Sequence, residues 1–159
     1  MKKKLLLGLM LALGIFAQQA QAQIYVNLNN VAPFIAANVA PAAVPIGTGG
    51  VVGAFVFSAT AKPVIIAYNA ECAVQGPAEM ITVDIDIVVN GAVIAPTATG
   101  AAFCSSDGGV GFGSFVNVIS HVVATLQPGF NAISVNAARV GGPAGALYSL
   151  ANSKFTVWD

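Results

Sequence analysis

Residues 80–104 read MITVDIDIVVNGAVIAPTATGAAFC. Within them Ile81, Val83, Ile85, Ile87 and Val89 alternate with Thr82, Asp84, Asp86 and Val88. A period of two belongs to a strand with one face buried. Asn90-Gly91 then supplies the two positive-φ residues of a type I′ turn. Ala92-Val93-Ile94 starts the return strand, and Pro96 marks its end. Cys104 closes the stretch, and its one possible intramolecular partner is Cys72, on the strand before. The expectation is a hairpin set between two cysteines, with the rest of the chain packed around it.

Working outward, the first residues do not belong to that fold. Met1-Lys2-Lys3-Lys4 is a positive start, Leu5 to Phe16 an apolar run, and Ala20-Gln21-Ala22 an A-x-A cleavage site. Residues 1–22 are therefore expected to be a cleaved signal peptide, with Gln23 the mature start and 23–159 a single domain. No cysteine follows the cleavage site to carry a lipid anchor. No later run reaches the roughly 18 uninterrupted apolar residues of a membrane helix, so no integral membrane segment is expected after cleavage. Localisation follows as secreted, periplasmic or cell surface.

Cleavage changes the charge. Three cations (Lys62, Arg139, Lys154) and six acids remain in the 137 residues left of 159, a side-chain sum of −3. That lacks the basic footprint of a nucleic-acid or anionic-lipid binder. Nine charged side chains also leave most of the surface to uncharged residues, which do little to discourage association. Two cysteines in an exported chain favour one disulfide over two buried free thiols.

The remaining strands read in sequence. Ile24 to Asn29 alternates, with Ile24, Val26 and Leu28 inward. Residues 31–50 carry Pro33, Pro41 and Pro45 and end in Gly47-Thr48-Gly49-Gly50, which rules out a long helix or a central strand. They are expected to form an extended apolar connection, draped over the core or partly exposed. Val51 to Ser58 is a strand. Val64 to Val74 is another, with Ile66, Tyr68, Ala70, Cys72 and Val74 on its apolar face and Asn69 and Glu71 on the other. Ser114 to Leu126, Phe130 to Arg139 (Ile133, Val135 and Ala137 on one face) and Lys154 to Asp159 complete the set. Seven to nine strands with turns about every ten residues read as an antiparallel β-sandwich, jelly-roll or immunoglobulin-like.

Groups able to do chemistry are few. His121 is the one histidine, and neighbouring Ser120 and His121 point to opposite faces of a strand, the wrong geometry for a nucleophile and its base. Asp84 and Asp86 share a face with Cα atoms about 7 Å apart. That spacing suits calcium ligation with help from Asp107, or an acid pair for glycoside hydrolysis, where roughly 5–9 Å is used. The plainer reading pairs them with Lys62, Arg139 or Lys154 across neighbouring strands. One histidine and two bridged cysteines do not make a zinc shell, and the glycine clusters lack the following helix of a phosphate loop. Tyr25, Tyr68, Tyr148 and Trp158 offer a sugar-stacking platform or, more plainly, core and rim packing.

From Tyr68 to Ser106, Asn69-Ala70-Glu71-Cys72, the run Val83 to Gly91, Ala95-Pro96-Thr97 and Ala102-Phe103-Cys104 resemble a group of small exported bacterial β-sandwich proteins of unknown function. Leu126, Pro128, Gly129, Asn131, Ile133 and Val135 continue that likeness. The resemblance implies an exported sandwich with a cysteine pair and no particular activity. A fainter likeness, to chaperone–usher pilus subunits, rests on Gly145 and the closing run Phe155-Thr156-Val157-Trp158-Asp159. It implies a terminal strand offered to a neighbour.

Together these features describe an exported, non-catalytic β-sandwich acting through surface contacts in an extracellular or cell-surface structural role. No enzyme activity, cofactor, metal or nucleic acid is expected. The partner is another copy or another exported protein, joined by strand addition. The alternative is a small-ligand or carbohydrate-binding module, calcium-assisted through Asp84, Asp86 and Asp107.

Overall fold

A computed structural model describes residues 22–76, 81–94, 102–106 and 111–159. In chain order the strands are β1 (Ile24–Asn30), β2 (Phe34–Ala36), β3 (Ala42–Ala43), β4 (Gly53–Ser58), β5 (Lys62–Gln75) and β6 (Thr82–Val89). They continue with β7 (Ala92–Val93), β8 (Cys104–Ser105), β9 (Val116–Leu126), β10 (Gly129–Val140) and β11 (Leu147–Trp158). The pairing is antiparallel throughout and divides the strands into two sheets. The first runs β1-β11-β5-β9, with β2 also on β11. The second runs β3-β10-β6-β7, with β4 also on β10 and β8 on β6.

This order chooses between the two expected sandwiches. With the short β2, β3 and β8 set aside, eight strands remain, and consecutive ones lie in opposite sheets at every connection except the β6–β7 hairpin. That is the double-sheet jelly roll. An immunoglobulin-like sandwich would keep several consecutive strands side by side.

The expected hairpin is present. Asn90 and Gly91 take φ of 52° and 83°, and Val89 pairs with Ala92 across the turn. Cys72 lies on β5 of the first sheet and Cys104 on β8, beside β6, in the second. They are bonded, with Cα atoms 6.1 Å apart. The bridge therefore ties the two sheets through the core, among Ile66, Tyr68, Ile81, Ile87, Leu126, Ile133 and Phe155, all fully buried.

The connection 31–50 is draped rather than free. Phe34 to Ala36 pairs with β11 and Ala42-Ala43 with β10, while Val44 and Ile46 are wholly buried. Its prolines limit each piece to two or three residues, because a proline has no N–H for a ladder. Val31, Ile35 and Val39 stay exposed.

The last strand corrects the expectation most. It begins at Leu147, seven residues before Lys154. Its register with β5 shifts between Ala151 and Lys154, and Asn152 sits at φ 47°. A bulge of this kind breaks alternation: the inward positions are Tyr148 and Leu150 before it and Ser153, Phe155 and Val157 after it, and Ser149 is buried too, opposite Ala73, so no single period of two shows in the sequence. β11 lies between β1 and β5, paired on both edges within its own chain.

Candidate functional site

The outward face of the first sheet can be read row by row from the register. One row is Ile24, Trp158, Ile65 and Val123; the next is Asn27, Thr156, Ala67 and His121; a third is Asn29, Lys154, Asn69 and Ile119. Ala67 is small and nearly buried, so the taller side chains around it enclose a depression of about 570 Å³. Ile24 and Trp158 bound it on one side, Asn69, Ile119 and Lys154 on another. Asn69 donates to the Asn117 side-chain oxygen at 2.8 Å, and Asn152 donates to Glu71 at 2.8 Å. One indole, one amide, one hydroxyl and one ammonium line it, a set suited to holding a ligand.

At the end of this face, β1 begins where β11 finishes. The Asp159 carboxylate accepts from the Gln23 backbone N–H (2.7 Å) and the Tyr25 hydroxyl (2.7 Å), and it lies 3.2 Å from Lys62 Nζ. Lys62 also donates to the Tyr25 hydroxyl and sits 4.2 Å from the centre of that ring. The Gln23 N–H above all, and then Lys62, hold the Asp159 carboxyl below the usual carboxylate range.

Asp84 and Asp86 do share the outward face of the second sheet, opposite Ala138 and Asn136 of β10. Burial and then the neighbouring Asp86 raise the Asp84 carboxyl. The cations expected to pair with them are elsewhere. Lys62 is engaged with Asp159, and Lys154 belongs to the first sheet. Arg139 is in phase with Val135 and Ala137, so it points inward; it is 5% exposed and donates to the Gly141 carbonyl. Asp107 lies outside the described residues. Among the described residues no three His, Cys, Asp or Glu gather as a metal would need.

Of the four proposed stacking aromatics, Tyr68 and Tyr148 are core residues, and burial pushes the Tyr68 phenol up to about 12. Tyr25 serves the Asp159 cluster, and Trp158 alone faces the depression. His121 is exposed on β9, opposite Ala67, and its row carries no carboxylate.

The exposed aromatics are phenylalanines that the sequence reading passed over. Phe55, Phe57 and Phe130 stand on the outward face of the second sheet, 75%, 59% and 76% exposed. Phe57 and Phe130 are register partners in edge-to-face contact at 5.3 Å. A signal for one was present: Phe130 is out of phase with inward Ile133, Val135 and Ala137.

One strand edge is also open. β9 pairs with β5 over eleven residues without a register shift, and among the described residues nothing pairs with its other side. Its sequence, VNVISHVVATL, holds no Asp, Glu, Lys, Arg or Pro.

No protein-family model matches the chain, and no curated protein matches it. Among solved structures it is similar to a family 35 carbohydrate binding module from Clostridium thermocellum, at 18% identity over 87% of this chain and 98% of that one, TM-score 0.35. It is also similar to Eiger TNF from S. frugiperda, at 9% identity over 86% and 93%, TM-score 0.41. A family 35 carbohydrate binding module from an environmental isolate aligns at 15% identity over 86% and 88%, TM-score 0.32.

Proposed function

We propose that the chain is an exported, non-catalytic β-sandwich that works by contact, assembling with copies of itself along the free edge of β9. The observation that carries this is the edge itself. Natural sheets protect an exposed edge with lysine, proline or a bulge, and β9 has none of these over eleven residues. An antiparallel edge is self-complementary, since each unpaired N–H and C=O of one copy meets its counterpart on the next. Ile119 and Val123 flank the edge, 59% and 64% exposed, and would be covered in such a pair.

The test is light scattering behind size-exclusion chromatography, on oxidised protein beginning at Gln23, across a wide concentration range. Wild type should associate with concentration, and Val123→Lys should remain a monomer at every concentration because a lysine on the edge strand would have to be covered in each copy. A wild-type chain that stays monomeric throughout sinks the reading.

A second reading has its own observation. The depression on the first sheet sets the Trp158 ring beside amide and hydroxyl groups, as a neutral sugar or similar small polyol would require. Under that reading, calorimetry against a glycan panel gives heat that Trp158→Ala abolishes and Val123→Lys leaves intact. Calcium added to the titration should change nothing if Trp158 carries the binding, because Asp84 and Asp86 are on the opposite face.

A further inference from the structure

The cluster around Asp159 has a property that becomes important only if the chain is cut where its sequence suggests. The Gln23 backbone nitrogen points at Asp159 Oδ1 from 2.7 Å, and the Asp159 N–H returns a bond to the Gln23 carbonyl at 3.2 Å. In the uncut chain that nitrogen is an amide with one proton. Cleavage after Ala22 would turn it into an α-ammonium without moving it.

We propose that Asp159 is the receptor for the mature amino terminus: processing after Ala22 replaces the neutral amide donor on this carboxylate with an ammonium, forming an ion pair that fastens β1 to β11 and keeps Gln23 from cyclising. The proposal rests on the reading of residues 1–22 as a cleaved leader. The amide N–H bond to this carboxylate is charge-assisted already; the cut adds the second formal charge, and with it the attraction of an ion pair.

The protection of Gln23 follows from the chemistry. A glutamine at an amino terminus closes to a five-membered lactam when its free amine attacks its own side-chain Cδ. The N–Cδ bond forms, the Cδ–Nε2 bond breaks, and the amide nitrogen leaves as ammonia, taking a proton from the amine. The attack needs the amine lone pair, which an ammonium lacks. A carboxylate at hydrogen-bond distance favours the ammonium, and raising its pKa by one unit leaves ~10-fold less free amine. The side chain lies beside the same cluster, with Gln23 Oε1 3.2 Å from the Tyr25 hydroxyl oxygen, whose one proton goes to the nearer Asp159 carboxylate.

Protein beginning at Gln23 can be released from a fusion by a protease that leaves no extra residue. Incubated at neutral pH, it should lose ammonia, read by intact mass, about ten-fold more slowly than the Asp159→Asn variant. Equal rates in two folded proteins overturn the proposal. A second comparison leaves the cluster unaltered: the same chain with Ala22 retained moves the ammonium one residue away and should melt several degrees lower. Equal melting of the two forms is equally fatal. Amino-terminal sequencing of protein exported by living cells tests the leader separately. A mature start other than Gln23 removes the biological occasion for the pairing and overturns the proposal for the cell, while the two comparisons above still report on the chemistry.

Discussion

Reducing the Cys72–Cys104 bridge should lower the melting temperature by about 13 °C. The bond spans 32 positions, a closed loop of about 33 residues, and the chain-entropy model assigns such a loop about 3.7 kcal/mol at 25 °C. Unfolding of a 137-residue domain carries an entropy of about 0.29 kcal/mol per kelvin near its midpoint, and the quotient is the shift quoted, ~13 °C. Both sulfurs are buried. A buried thiol behaves as a small apolar group, so reduction removes the cross-link and opens no cavity. Replacing both residues by alanine removes the sulfurs too, and each void should cost about 1 kcal/mol more. The order of stability is therefore oxidised, then reduced, then the double alanine variant.

Thermal unfolding followed by circular dichroism, with and without reductant, measures the first step. Urea titration supplies a control, because an uncrosslinked unfolded chain exposes more surface and should raise the m-value. A local readout distinguishes the structural role. β8 is only two residues long; Phe103 N–H to the Val83 carbonyl, Ser106 N–H to the Ile81 carbonyl and Ile81 N–H to the Ser106 hydroxyl hold it on β6, and the bridge ties it to β5. On reduction the Phe103 and Ser106 amides should lose hydrogen-exchange protection before those of β5. A reduced protein, with both thiols titratable on unfolding, that melts within ~3 °C of the oxidised form refutes the loop argument.

Asn131 is wholly buried and bonds the Gln127 N–H and carbonyl, the Gly129 carbonyl and Asn90 Nδ2, so Asn131→Ala should cost about 2–4 kcal/mol in urea by stranding several polar groups at once. Gly142 has φ 75°, and an added Cβ would stand 2.4 Å from Ile81 Cγ1, whereas Gly49 has φ 78° and open space around it. Gly142→Ala should therefore destabilise by more than the ~1 kcal/mol expected at Gly49 from backbone strain alone, measured side by side. The Tyr68 phenol at about 12 is raised above its unfolded value near 10, so its contribution is complete below pH 10 and is lost as the pH rises toward 12. Between pH 9 and 11 the loss should be about 1 kcal/mol, and Tyr68→Phe should remove that part of the pH dependence.

The sequence carried the strands with one-sided patterns and hid those without. β6, β9 and β10 alternate plainly, and Asn90-Gly91 and Pro128-Gly129 marked their turns, because a turn needs positive φ and only a few residues accept it. The early half of β11 was hidden by the bulge near Asn152, which shifts the inward phase from Tyr148 and Leu150 to Ser153, Phe155 and Val157, and by the burial of Ser149 beside them. Sheet assignment was hidden for another reason. Alternation says that a strand has an inside, and nothing in it says which of two sheets that strand joins. The depression on the first sheet illustrates the consequence. Ala67, Thr156 and Ile119 come from β5, β11 and β9, and only the register brings them together. Arg139 shows that the period of two could have been trusted further: its phase with Val135 and Ala137 placed it inward, against the usual habit of arginine.

The distribution of the few charges is itself an argument about function. Three cations follow residue 22. Lys62 is engaged by Asp159 and Tyr25 at the end of the first sheet, Arg139 is turned into the interior, and Lys154 stands on β11, an interior strand of its sheet. None lies on β9, where one lysine would prevent edge pairing at almost no cost to the fold. The same holds around Phe55, Phe57 and Phe130, whose register neighbours on β4 and β10 carry no charge. A chain with no use for contact would gain solubility by moving any cation to either place. Val123→Lys makes that move on the edge. If the edge works in assembly, the variant trades association for solubility; if the edge is idle, the variant is more soluble and nothing is lost with it.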